Sequence, residues 1–199
     1  MDKLIRAINF SAIAHRNQRR KNQDKTPYIN HPIEVMCQLS NGGVTDIDTL
    51  CAAVLHDTIE DTGVTYKQLC DEFGESVSRI VQECSDNKSL AKEVRKQEQI
   101  IHARHVSFAA KIVKASDKLS NLSDLDITPP SGWSKEEING YFDWSYAVWL
   151  EVMGCNKYLD DKLVCLFEKR GLLNISKSEL DDRLAKYYSN IKNSKKNIT

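Results

Sequence analysis

VLHDTIEDT, residues 54–62, ends an apolar segment in a histidine and three carboxylates: His56, Asp57, Glu60 and Asp61. Upstream, Asp46 is placed to cap a helix whose buried face carries Ile47, Leu50, Cys51, Val54 and Leu55. Downstream, Gly63 closes the stretch, and Ala52 and Ala53 leave room for a second helix to pass closely. Taken alone, the segment has two readings. It is a metal site with its own acid and base, or a polar helix end whose carboxylates fold into an Asx-type turn.

Outward from this point the periodicity is helical almost throughout. Leu4, Ile8 and Ala12 mark a first helix, followed by a basic loop over 16–25 that ends in Thr26-Pro27. Asn30 is expected to cap a second helix, with Pro32 in its first turn, where a missing N–H costs little; Gly42-Gly43 breaks it. Thr65-x-x-Gln68 is a capping-box pattern, and Val77, Ile80, Val81 and Cys84 mark the helix after it. Residues 88–103 read as a charged helix that lies near solvent or lines a site, and another runs from about Ser107 to Leu122.

After the linker TPPSG, residues 128–132, Ser134-x-x-Glu137 opens a long helix with Ile138, Tyr141, Phe142, Trp149 and Val152. Leu159, Leu163, Leu166 and Phe167 belong to the next, which ends at Gly171. Ser176-x-x-Glu179 begins a last one with Leu180, Leu184, Tyr187 and Ile191. No strand-like alternation occurs, so the expected fold is all-α, a single compact domain of about nine or ten helices. From Arg183 on the chain has no acidic side chain, and its end is expected to fray into a mobile basic tail.

The 199 residues suffice for one core. Lys and Arg together equal Asp and Glu at 28 each, so no global field favours nucleic acid or lipid, and an anion site has to come from local clustering. The six cysteines form no C-x-x-C pair and read as small buried hydrophobes in a reducing compartment. No apolar run approaches the roughly 20 residues that span a bilayer. The cytoplasm is the expected location.

Three helices can bring ligands to HDTIEDT. His31 begins the second helix. Ala110, Val113, Asp117 and Asn121 share one helical stripe, so Asp117 extends an apolar face, where a carboxylate needs a cation partner. Two imidazoles and two carboxylates suit Mn²⁺, Fe²⁺ or an Mg²⁺-like octahedral ion. Spacing alone favours His31 as a helix-start capping residue and leaves Asp117 open between a buried salt bridge and a metal.

YINHP at 28–32, VLHDTIEDT at 54–62 and KASDKLSNL at 114–122, led by RRKNQDKTPY at 19–28, resemble the HD-domain hydrolases of the RelA/SpoT family. The length and the segment GWSKEEINGYFDW look most like the stand-alone small alarmone hydrolases of animals, the metazoan SpoT homologues. The resemblance implies an HD fold over 1–172, with 173–199 as a C-terminal extension, a helix with a mobile basic tail. It implies one Mn²⁺ per chain on His31, His56, Asp57 and Asp117, with Glu60 and Asp61 as the acidic pair that handles water. It implies hydrolysis of the 3′-pyrophosphate of ppGpp or pppGpp to GDP or GTP and pyrophosphate.

Arg20 and Lys21 correspond to nucleotide-contacting positions, Asn121 to a substrate-binding asparagine, and Lys92 and Tyr141 to positions near phosphate and sugar. Ser120 stands where relatives often carry an aromatic residue. The implied partner is a small phosphorylated nucleotide, with neither nucleic acid nor membrane, and the oligomeric state is left open. Three alternatives keep part of this reading. One is removal of the 2′-phosphate of NADPH at the same site; another is a two-metal HD phosphodiesterase that recruits His102 and His105. The third is a nucleotide-binding module without catalysis.

Overall fold

The computed structural model describes residues 1–194. Among them run ten α-helices of eight residues or more, one of five, and a 3-10 turn, with no strand beyond the isolated bridge Arg19–Pro27. In chain order they are α1 (Asp2–Ala14), α2 (Asn30–Asn41), α3 (Ile47–Leu55), α4 (Thr58–Thr62), α5 (Tyr66–Phe73) and α6 (Glu75–Cys84). Then come α7 (Lys92–Ala103), α8 (Phe108–Ile127), α9 (Lys135–Val152), α10 (Lys157–Glu168), the 3-10 turn Leu172–Asn174 and α11 (Lys177–Ser194). None of these helices is long and apolar enough to cross a membrane.

α3 lies at the centre. Every residue from Thr49 to Leu55 is buried, as expected of a helix apolar on all sides. Its N-terminus is fixed by Asp46, which accepts from Thr49 N–H at 2.9 Å. α1, α2, α6 and α8 surround it, and Ala52 and Ala53 are fully buried among them. α8 forms the second axis, touching α2, α3, α6, α9 and α10.

Several boundaries differ from expectation. Asn30 is not a cap: Ile29 holds that place without a side-chain bond. The preceding turn already feeds the helix, since Asn30 N–H bonds to Pro27 O and His31 N–H to Tyr28 O. α7 starts at Lys92 rather than 88, because Asn87 Oδ1 accepts from Ser89 N–H and Oγ in a local turn that competes with helix. α8 passes Leu122 and continues to Ile127. Leu125 is in the core, and Asp126 pairs with Arg170 and Lys169 on the far side. Pro129-Pro130 then stops it. Of the cysteines only Cys51 is buried; Cys37 and Cys165 are exposed, and all six are free.

α11 is part of the same core. Leu180, Leu184, Tyr187 and Ile191 are buried, and the helix packs on α9 and α7. Residues 195–199, the end of the expected basic tail, lie outside the described residues.

Candidate active site

His56 is the C-cap of α3, Asp57 follows, and α4 turns the chain until Gly63 ends it in a left-handed conformation (φ 78°). The second half of HDTIEDT is thus a helical turn beside the first. His31 arrives from the first turn of α2 and Asp117 from the middle of α8. His31 Nε2 lies 3.1 Å from Asp117 Oδ1 and 3.7 Å from Asp57 Oδ2. His56 Nε2 lies 3.0 Å from Asp57 Oδ2 and 3.6 Å from Asp117 Oδ1. One donor atom each of His31, His56 and Asp117 falls within 4.8 Å of the others. The four side chains meet at one point.

Each is held from outside. His56 Nδ1 donates to Ala53 O at 2.8 Å, and His31 Nδ1 is 3.0 Å from Ser120 Oγ. Tyr28 Oη donates to Asp57 Oδ2 at 2.6 Å; Asn121 Nδ2 donates to Asp117 Oδ1 at 2.6 Å, and Lys118 Nζ reaches Asp117 Oδ2 at 2.8 Å. With both Nδ1 atoms engaged outward, both Nε2 atoms turn to the common centre, the orientation that outer partners impose on ligating histidines. His56 Nε2 is buried without a hydrogen-bond partner, close to Asp57 but misaligned for one. An orphaned imidazole nitrogen between two carboxylates fits a divalent cation that accepts mixed N and O donors.

The charges agree. Burial alone would raise the Asp117 carboxyl, but Lys118, His31 and His56 together outweigh it and hold it well below the usual carboxylate range. Asp57 is lowered as well, with His56 overcoming burial. Burial drives His31 towards the neutral imidazole that metals bind.

Glu60 and Asp61 face the same space. Glu60 accepts from Asp86 N–H at 3.0 Å and lies 3.2 Å from Lys88 and 3.4 Å from Arg95. Burial, reinforced by Asp86, raises its pKa. Asp61 is gripped at one oxygen by Lys88 (2.7 Å) and at the other by Gln18 (2.9 Å).

Two adjoining hollows of about 500 Å³ and about 210 Å³ share Tyr28, Glu60, Asp61, Asn121 and Tyr141. The larger takes in Arg20 and Lys21; the smaller takes in Asp57, Asp117 and the cations Lys92, Arg95, Lys96 and Lys118. Arg20 donates to Asn121 Oδ1 at 3.0 Å and to Asp124 at 2.7 Å, so loop and α8 form one wall. All eleven expected site residues therefore border one continuous cleft or its floor. His102 and His105 do not: both are exposed, and His102 pairs with Glu98 at 2.7 Å. Among the described residues the His31–His56–Asp117 group is the one cluster of its kind.

Sequence reasoning passed over Tyr28, Gln18, Lys88, Lys96, Lys118 and the role of Ser120. Tyr28 and Lys118 stood inside quoted motifs, next to or near expected ligands. Gln18, Lys88 and Lys96 carried no local signal.

The HD-domain family profile matches residues 7–139. The guanosine-3′,5′-bis(diphosphate) 3′-pyrophosphohydrolase MESH1 of Danio rerio is 47% identical over 170 residues, 85% of this chain and 94% of that protein. The chain belongs to the MESH1 family of HD-domain proteins. The Homo sapiens MESH1 is 46% identical over the same share of this chain and 95% of its own. A solved structure of a metazoan ortholog of SpoT, described as hydrolysing ppGpp with a role in starvation responses, superposes with a TM-score of 0.85. It is 41% identical, covering 86% of this chain and 97% of that one. As a MESH1-family chain, this protein has the all-α HD fold that its motifs implied.

Proposed function

We propose that this protein is a divalent-metal-dependent hydrolase of ppGpp and pppGpp, releasing the 3′-pyrophosphate and leaving GDP or GTP. The observation that carries the reading is the meeting of the His31–His56–Asp57–Asp117 cluster with the Glu60–Asp61 pair in a cleft lined by cations. The named activity of the MESH1 relatives supports the same substrate. Mn²⁺, one per chain, is the ion proposed for the mixed imidazole and carboxylate donors.

A cation held there supplies positive charge that polarises the phosphoryl group and eases deprotonation of water. The chain's own residues do the rest. Asp61, fixed by Lys88 and Gln18, orients the water, and Glu60, whose burial favours proton uptake, acts as general base. The water oxygen bonds to the phosphorus next to the ribose 3′ oxygen, and the bond from that phosphorus to the 3′ oxygen breaks. The proton ends on the 3′ oxygen, giving GDP and pyrophosphate. Arg20, Lys21, Lys92, Asn121 and Tyr141 bind the nucleotide and its phosphates, and arginine offers a planar face to the base.

Turnover of ppGpp by the Mn²⁺-loaded protein, read as GDP and pyrophosphate, is the test. NADPH is run in parallel. Release of its 2′-phosphate with no ppGpp turnover would keep the site and change the substrate; turnover of neither would remove the assignment.

A further inference from the structure

Lys96 is a buried lysine that the mechanism above does not use. Its residue is 8% exposed, and its Nζ lies 3.2 Å from the Trp144 ring centre, 4.7 Å from that of Tyr141 and 5.7 Å from that of Tyr187. Trp144 Nε1 donates to the Lys96 backbone carbonyl at 2.9 Å, so ring and lysine are fixed as a unit. No carboxylate pairs with Lys96 among the described residues. Lys118 Nζ shares the Trp144 ring at 4.4 Å, but its charge is met by Asp117.

Aromatic faces offset part of the cost of burying an ammonium, and an unpaired buried charge normally cannot persist on that alone. Burial, then Lys118 and Lys92, push the Lys96 pKa well below that of an ordinary lysine. The smaller hollow thus places beside the His–Asp cluster an amine whose charged form has no ion-pair partner to favour it. An incoming polyanion supplies what is missing.

The third wall of this cage comes from α11. Tyr187 is buried in α11, which packs on both α9 and α7. α11 is also pinned where Tyr187 crosses Gly140: a Cβ there would fall onto the Tyr187 ring.

We propose that Lys96 is a further phosphate-binding residue, taking the outer phosphate of the pyrophosphate group, and that Tyr187 of α11 is its positioning residue. The proposal rests on the hydrolase reading for its substrate, but not for its anion site.

The test uses the full-length, Mn²⁺-loaded protein. Lys96→Met keeps the length of the side chain and removes its charge. The expected result is a rise of about tenfold or more in the Kd for inorganic pyrophosphate by calorimetry, the range of a lost charged hydrogen bond, with a parallel rise in KM for ppGpp. Tyr187→Leu, which keeps the packing and removes the ring, raises both constants about two- to fivefold while kcat stays near wild type. Pyrophosphate affinity within twofold of wild type in Lys96→Met overturns the proposal. Should that variant fail to fold, lysine acylation of the wild type replaces it, mapped by mass spectrometry. Pyrophosphate is expected to protect Lys96 and not the exposed Lys157, and equal labelling of Lys96 with and without it overturns the proposal. Wild-type ppGpp turnover tests the substrate separately, since pyrophosphate binding needs no turnover.

Discussion

Tyr28 Oη donates a 2.6 Å hydrogen bond to Asp57 Oδ2, and through it the loop that carries Arg20 also orients a carboxylate of the His–Asp cluster. Burial, with Asp57 adding to it, keeps the phenol protonated and so always a donor. Removing it leaves Asp57 free to rotate. Tyr28→Phe is expected to weaken Mn²⁺ binding about 10- to 100-fold, the usual cost of losing an outer partner of a metal ligand, with the fold unchanged. Calorimetric titration of the metal-free protein checks this, and an unaltered affinity would take Tyr28 out of the site.

Metal binding should also appear as stability. A ligand that binds only the folded state at 100 times its Kd adds about 2.7 kcal/mol, and a domain of this size gains roughly 2–4 °C in Tm per kcal/mol. Mn²⁺ is therefore expected to raise Tm by roughly 5–11 °C, EDTA to reverse the shift, and His56→Ala to abolish it. Elemental analysis should return about one ion per chain; near two would revive a two-metal site despite the outward placement of His102 and His105.

Glu60 and Asp61 should separate chemistry from binding. Glu60→Gln is expected to lower kcat by about 10²–10⁴, the span of general-base catalysis, with metal affinity and KM nearly unchanged. Burial raises the Glu60 pKa above that of an exposed glutamate. The active form is the deprotonated one, so kcat/KM should fall as pH drops through a value above the ordinary glutamate range. That limb should be missing from the residual rate of Glu60→Gln; a limb that persists there would assign the base to another group. Glu60→Ala with Asp61→Ala should bind Mn²⁺ and ppGpp without turnover.

What could be read in the sequence was what repeats locally. Asp46, Thr65 and Ser134 were legible as caps because a cap and its partner lie three residues apart, and each bond is present. Asp117 was legible because it broke an apolar stripe. One failure was local and the others were long-range. Asn30 looked like a cap until the turn at Pro27 made one unnecessary. Lys96 looked like one more charge on a charged helix; only the arrival of Trp144 from α9 and Tyr187 from α11 buries its amine among aromatic rings. Ser120, which seemed a loss where relatives carry a ring, is the partner of His31 Nδ1 across 89 residues of chain.

The contact of Gly140 with Tyr187 reverses an ordinary rule. Gly140 lies inside α9, where alanine would normally stabilise the helix by about 1 kcal/mol. Here the added Cβ would press on Cδ2, Cγ and Cβ of Tyr187, the rigid part of that side chain, and α11 would have to move. Overpacking of this kind costs about 1–3 kcal/mol. Gly140→Ala is therefore expected to lower stability in urea unfolding. In a Tyr187→Ala background, where the obstruction is gone, the same substitution should become neutral or stabilising. A double-mutant cycle measures that coupling, and a Gly140→Ala effect of equal size and sign in both backgrounds would show that α11 does not press on α9 at this point.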